Sequence, residues 1–301
     1  MSRQFPDAPE TQPSGLIYAI GAYLAWGLLP LYIMLVRQVP PFEFVGWRVI
    51  FTLPVCLLVV ALRRQGGEVL AAITERRTLA ALIASALLIG GNWLIYIVAI
   101  QAGHVFAASL GYYINPLVNV LAGTLFLGEK LTARQWAAVA LAAAGVSLLA
   151  WDAREMLGIS LGLALTFSGY GLVRKLAPVG ALPGLTVETL LLALPAIGIL
   201  VWQARDHGHL ALGASTGADV LIALSGVVTA VPLLLFAVAA RRMDYSALGF
   251  IQFLAPTLVF LIGLIVFHEP LRPMQLACFV AIWAAIAIFV WDLLARRAAR
   301  A

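Results

Sequence analysis

Apolar residues fill this chain in long runs, and polar residues mostly occupy the short intervals between them. About 20 residues at roughly 1.5 Å each are needed for a helix to cross about 30 Å of hydrocarbon. Ten runs reach that length: 15–36, 42–62, 79–101, 106–128, 134–151, 157–176, 185–203, 219–240, 246–267 and 273–294. The pattern predicts an all-α integral membrane protein with ten transmembrane helices.

The two ends of the chain are polar. Residues 1–14 hold three prolines and two acidic residues, which predicts a disordered cytoplasmic tail. Because the first apolar run exceeds the length of a signal-peptide core and lacks a basic segment before it, we expect it to remain as a membrane span. Residues 295–301 predict a basic cytoplasmic tail.

Composition and charge agree with a membrane protein. The chain is 63% hydrophobic and 11% charged, with a mean hydropathy of +1.00, whereas soluble domains are about one-quarter charged. The net charge of +5 is scattered over short loops, which favours the lipid bilayer and disfavours a nucleic-acid partner. With the N-terminus inside, 14 of the 19 Lys and Arg residues fall on the inner side, so both termini are predicted to be cytoplasmic.

The two halves of the chain are related. Residues 116–152 match residues 256–292 at a constant offset of 140, with Glu129 opposite Glu269. Because each half has five spans, the second must enter the membrane from the opposite side, an arrangement used by secondary transporters. The alternative is a duplication that merely built a large bundle. The predicted domains are a first repeat over 15–152 and a second over 157–294.

Several segments carry a family resemblance. They are AYLAWGLLPLY (22–32), LIGGNWLIYIVAI (88–100), ASLGYYINPLVNVLAGTLFLGEKL (108–131), GLALTFSGYGLVRK (162–175), LGFIQFLAPTLVFLIG (248–263) and the closing FVWD. They resemble the RarD group of EamA-domain permeases, in the drug/metabolite transporter superfamily. The resemblance implies two EamA repeats around a central cavity, in a bacterial inner-membrane carrier that moves small organic metabolites or drugs, usually outward. The group's name is tied to chloramphenicol sensitivity.

Polar residues near prolines in two related spans are the first candidates for a substrate site. A polar group in a bilayer is costly unless it faces the bundle interior or a wet cavity. Proline removes a helical hydrogen bond, and helices broken at the midplane mark binding sites in inverted-repeat carriers. Hydrogen bonding between helices is the simpler alternative for the amides. The predicted binding residues are Tyr112, Asn115, Pro116, Asn119, Gln252 and Pro256.

Aromatic and amide residues in three other spans extend the candidate site. Asn92 and Tyr96 share one face of span 3, next to Trp93. Trp26 and Tyr170 are repeat equivalents, each followed by glycine. An aromatic and amide wall suits an aromatic or amphipathic ligand. Helix packing and an interfacial aromatic belt are the alternatives.

Charged residues inside the spans are candidates for gating or coupling. Arg48 and Glu188 occupy near-equivalent places in the two repeats, and Arg174 and Lys175 lie one short loop before Glu188. Our hypothesis is that Arg48 and Glu188 lie at opposite mouths and form or break ion pairs as access alternates. Glu43, five residues before Arg48, could pair with Arg48 or gate the outer mouth, and a side chain that reaches the interface is at least as good an interpretation.

Other function classes lack the residues that they require. No HExxH, GxSxG or Walker A motif occurs, so we expect neither an enzyme nor a cofactor. Cys56 and Cys278 lie in separate spans, and His207 and His209 lack further ligands at metal-binding spacing, so no metal site is predicted. A channel or facilitator without ion coupling stays as the alternative to a carrier, ahead of an intramembrane enzyme. Proton or other ion coupling and a homodimer are left open.

Overall fold

The structure is a computed structural model that describes residues 15–152, 154–268 and 270–298. The predicted N-terminal tail, residues 299–301 and Glu269 lie outside these ranges. The described residues form α-helices and no strand. The helices are α1 (Gly15–Gly27), α2 (Leu29–Leu35), α3 (Pro41–Arg63), α4 (Gly66–Thr74), α5 (Arg76–Gln101), α6 (Val105–Phe126), α7 (Ala133–Asp152), α8 (Leu157–Leu176), α9 (Ala181–His207), α10 (Thr216–Arg242), α11 (Tyr245–Gln252), α12 (Leu254–Ile265) and α13 (Pro273–Ala298).

The described residues contain ten helical stretches long and apolar enough to cross a membrane. Their bounds agree with the predicted spans to within four residues. Two of them are divided, since α1 and α2 form the first and α11 and α12 form the ninth. The all-α fold with ten spans is therefore confirmed.

The two related prolines act differently. In the ninth span the helix divides at Phe253, and Pro256 lies in the first turn of α12, where its missing N–H costs little. In the fourth span, α6 continues through Pro116 as one helix. The expected break is thus present in one repeat only, because a single missing donor in α6 leaves the hydrogen bonds on either side of it intact.

A short helix, α4, was not predicted because it is too short to span a membrane. It packs beside α9 and buries Ala72. The next helix, α5, begins at Glu75, whose carboxylate accepts hydrogen bonds from the amides of Thr78 at 2.6 Å and Arg77 at 3.0 Å. Hydrogen bonding, above all from Thr78, holds the pKa of Glu75 below its ordinary value.

The helix packing has the form expected of two inverted halves. Equivalent spans pack against each other, as α3 against α9, α6 against α11 and α7 against α13. The third span packs against the sixth (α5 and α8), and the eighth packs against the first (α10 and α1). Because spans three and eight are equivalent, as are spans one and six, these two contacts correspond to each other in the two halves. Glycines permit these approaches: a Cβ on Gly46 would lie 2.8 Å from Leu200, and one on Gly145 would lie 3.1 Å from the carbonyl of Cys278.

The bundle has two ends. We call the end where α3, α6, α8 and α10 finish the basic end, because Arg63, Lys130, Lys175 and Arg242 lie there. At this end Glu129 accepts hydrogen bonds from the first amides of α11, at Tyr245 (2.6 Å) and Ser246 (2.8 Å). At the opposite end, the Glu43 carboxylate accepts a hydrogen bond from the amide of Ala211 at 2.7 Å, which joins α3 to the loop after α9.

Candidate functional site

A narrow cleft lies between the two halves. Helices α3 and α5 of the first half and α8, α9 and α10 of the second half line it. Its volume is about 10 Å³, close to the smallest space that holds one water molecule. An organic molecule can therefore enter only if side chains or helices move. The lining residues are Val49, Thr52, Ile89, Trp93, Tyr170, Leu185, Glu188, Thr189, Leu192, Thr229 and Leu233.

Arg48 contacts two of these lining residues. Its Nε donates a hydrogen bond to Thr229 Oγ1 at 3.1 Å, and its guanidinium carbon lies 4.5 Å from the centre of the Trp93 ring. Arg48 is seven residues past the start of α3, or about 10 Å along the helix from the opposite end. Glu43 does not pair with it, because the Glu43 carboxylate accepts from Trp47 Nε1 at 2.8 Å and from the Ala211 amide.

Two partly exposed tyrosines lie beside Arg48. The rings of Tyr96 and Tyr112 lie 6.0 Å apart, and the Arg48 charge acts on both hydroxyls as well as on that of Tyr32. Tyr96 is 37% exposed and Tyr112 is 42% exposed, so neither side chain is fully enclosed by the bundle.

A buried ion pair closes the other side of the cleft. Arg174 Nε lies 3.5 Å from Glu188 Oε1, and neither side chain is more than 1% exposed. Ser85 donates a hydrogen bond to the same carboxylate oxygen, and the Tyr170 hydroxyl lies beside this carboxylate. Glu188 is seven residues past the start of α9, about 10 Å from the basic end. Arg48 and Glu188 thus lie at similar depths from opposite ends.

The Arg174 guanidinium is tightly enclosed. Its Nη2 donates to the carbonyl of Ala181 at 2.8 Å, and Gly184 packs so closely on the guanidinium that a Cβ there would collide with Nη1. Among the described residues, Arg174 Nη1 and Glu188 Oε2 have no hydrogen-bond partner. A buried pair with unsatisfied atoms recovers only part of its desolvation cost.

Lys175 makes different contacts from its neighbour Arg174. Its Nζ donates to the carbonyls of Ala240 at 3.0 Å and Met243 at 2.6 Å, at the end of α10. A cation at this place satisfies the last carbonyls of a helix and its dipole. Lys175 therefore fastens α8 to α10 at the basic end and does not line the cleft.

Trp26 and Tyr170 meet in one aromatic cluster. Trp26 lies 5.5 Å from Phe167 and 5.7 Å from Phe236, and Phe236 stacks on Tyr170 at 6.0 Å between ring centres. Tyr170 also lines the cleft, whereas Trp26 lies behind it. The cluster joins α1, α8 and α10 directly beside the cleft.

The amides predicted as substrate ligands lie in contacts between helices. Asn92 Nδ2 donates to the carbonyl of Leu163 and to Thr166 Oγ1, both at 2.9 Å. Asn119 Nδ2 donates to Gln252 Oε1 at 2.5 Å, which joins α6 to α11. These side chains are at most 5% exposed and do not line the cleft.

Asn115 and the two prolines are also buried. Asn115 is 2% exposed, and its Oδ1 has no hydrogen-bond partner among the described residues. The carbonyl of Pro116 faces Gly249 of α11, where a Cβ would lie 2.7 Å away. Pro256 lies buried in α12. The assignment of these residues and of the amides to substrate binding stays a prediction.

Several polar residues at the cleft were missed by the sequence analysis. Thr229 accepts a hydrogen bond from Arg48, and Ser85 donates one to Glu188. Thr52 donates to the carbonyl of Arg48 at 2.6 Å. Hydroxyls in membrane helices can bond to their own helix backbone, so a Ser or Thr in an apolar run gives little signal. Over the described residues no group of three or more His, Cys, Asp or Glu side chains could hold a metal ion.

Comparisons with known proteins agree on one family. Residues 13–151 match the EamA-like transporter family. An uncharacterized transporter of Pseudomonas aeruginosa is 42% identical over 92% of this chain and 93% of its own. Protein RarD of Escherichia coli is 40% identical over 95% of this chain and 96% of its own. A protein of P. aeruginosa named chloramphenicol-sensitive protein RarD is 31% identical over 92% of this chain and 94% of its own.

A solved crystal structure supports the same fold. Its chain is 19% identical, with a TM-score of 0.72 over 94% of this chain and 98% of that one. The chain is therefore a multi-pass bacterial membrane permease of the EamA type. More narrowly, it belongs to the RarD group of these permeases, within the drug/metabolite transporter superfamily.

Proposed function

We propose that this protein is a secondary carrier that exports a small organic metabolite or drug across the bacterial inner membrane by alternating access, with both termini in the cytoplasm. The observation that carries the proposal is the cleft between the two halves, with Arg48 beside it toward one end and the Arg174–Glu188 pair toward the other. Inverted halves can exchange their conformations, and this exchange would open the cleft first to one side and then to the other.

In this proposal the Arg174–Glu188 pair is the inner gate. The basic end would face the cytoplasm by the positive-inside rule, and the pair lies about 10 Å from that end. Tyr96 and Tyr112, which are partly exposed beside Arg48, would lie on the outward path. Opening inward would separate α8 from α9 and break the pair, whose unsatisfied atoms lower the cost of doing so.

The test has two stages. Metabolite profiling of a deletion strain against an overexpressing strain identifies solutes whose export depends on the protein. Uptake of such a solute is then measured in inside-out vesicles, with and without a pH gradient. We expect saturable uptake and counterflow, and the pH gradient decides whether protons are coupled.

Matched variants make this test specific. Glu188→Gln should abolish uptake, whereas Arg37→Gln, at an exposed loop position, should not. Unsaturable conductance would indicate a channel instead, and product formation without flux would indicate an enzyme. Normal uptake by Glu188→Gln would overturn the assignment of the gate.

A further inference from the structure

We propose that the cleft takes an organic anion, a small carboxylate with an aromatic body, and that Arg48 is the residue that binds its carboxylate. This inference rests on the carrier function proposed above. It assigns to Arg48 a binding role in place of gating, and it names the class of substrate.

The charge of Arg48 is not balanced by the protein. None of the ion pairs formed by the described residues includes Arg48, and Glu43 on the same helix is engaged with Trp47 and Ala211. The other two charges at the cleft, Arg174 and Glu188, cancel each other. Arg48 therefore leaves a net charge of +1 beside the cleft, at a depth where a charge without a counter-ion is costly.

The surroundings of Arg48 are neutral on every side. Thr229 reaches it from α10, Trp93 and Tyr96 from α5, Tyr32 from α2 and Tyr112 from α6. These groups offer hydroxyls and aromatic faces but no carboxylate. A counter-ion at this place must therefore come from outside the described chain.

The guanidinium has donors left for such a ligand. Of its five N–H groups, only Nε–H is bonded to another described residue, Thr229. Its two terminal nitrogens are not among the enclosed atoms that lack partners, so they are open to a ligand. Two parallel N–H groups of a guanidinium match the two oxygens of a carboxylate.

The aromatic residues specify the rest of the ligand. Trp93 lies on one side of Arg48, and Tyr96 and Tyr112 present exposed ring faces beside it. Rings of this kind pack edge-to-face or offset against another aromatic ring. A carboxylate on the guanidinium would place an attached aromatic body against these rings.

The test compares three probes that share one body and differ in charge. These are 3-phenylpropionate, the alcohol 3-phenylpropan-1-ol and the amine 3-phenylpropan-1-amine. Each is titrated into the purified full-length protein in detergent, and binding is followed by tryptophan fluorescence. Because a charged hydrogen bond is at stake, we expect the anion to bind about 10- to 100-fold more tightly than the alcohol, and the amine to bind more weakly still.

Variants assign the effect to Arg48. In Arg48→Gln the anion and the alcohol should bind equally, whereas Arg48→Lys should keep part of the preference and Arg37→Gln all of it. The ratio of anion to alcohol affinity is compared within each variant, so that a partly unfolded sample does not imitate the result. Equal binding of the three probes to the wild type, or an unchanged ratio in Arg48→Gln, overturns the proposal.

Transport separates this proposal from the carrier function. If the protein binds the anion through Arg48 but vesicles show no counterflow of any solute, the carrier function is refuted and the anion site is supported. If vesicles show saturable counterflow of neutral or cationic solutes only, the carrier function stands and the anion site falls.

Discussion

Removing one member of the Arg174–Glu188 pair should destabilise the protein far more than removing both. At 3.5 Å, two unit charges attract by about 5 kcal/mol for an effective dielectric constant of about 20. Arg174→Gln would leave Glu188 buried with Ser85 as its remaining bonded partner, and we expect a loss of about 3–5 kcal/mol. The double variant Arg174→Met, Glu188→Met removes both desolvation costs together with the attraction, so we expect it to lie within about 1 kcal/mol of the wild type.

Reversible unfolding in mixed micelles of SDS and a mild detergent measures these free energies. The pair between Arg134 and Asp292 is the matched control. Its separation is 3.9 Å, but 56% of the Arg134 side chain is exposed, so Arg134→Gln should cost about 1 kcal/mol or less. The reasoning fails if Arg174→Gln costs no more than Arg134→Gln, or if the double variant loses the sum of the single losses.

Two further pairs of variants use the same unfolding measurement. Gly184→Ala should lower the free energy of unfolding by about 1–3 kcal/mol, because the added methyl group meets the Arg174 guanidinium. Gly198→Ala in the same helix places its methyl group in open space, so its free energy of unfolding should be unchanged or slightly higher. Equal effects of the two substitutions would contradict the packing argument. Asn119→Leu should lose about 0.6–1.7 kcal/mol with its bond to α11, whereas Asn115→Leu should preserve folding and abolish transport. If Asn115→Leu lowers only the abundance of the protein, Asn115 serves packing.

The spans were predictable because the bilayer leaves the backbone few choices. A segment in hydrocarbon must satisfy its own N–H and C=O groups, so an apolar run of sufficient length forms a helix. The same rule is silent about α4, which is too short to cross. It also does not predict the division of the ninth span at Phe253. Both related spans contain a proline, and the sequence does not indicate which of the two helices breaks.

The charged residues of the cleft were recognisable because charges are rare and costly in a bilayer. Their partners were harder to identify. Arg174 and Lys175 are adjacent and equally basic, but successive residues point about 100° apart on a helix, so only Arg174 reaches Glu188 while Lys175 turns to α10. The bond from Asn119 to Gln252 joins residues 133 positions apart, a pairing that a single sequence does not encode locally.

The hydrogen bonds of Glu129 have a consequence for biosynthesis. This carboxylate belongs to the first half of the chain, and the amides that it accepts from lie 116 and 117 residues later. Ribosomes add about 5–20 residues per second, so the carboxylate waits about 6–23 s for its partners to be made. During that interval the first half holds an unpaired carboxylate at the membrane surface. The two halves therefore complete their folding together, although they are synthesised one after the other.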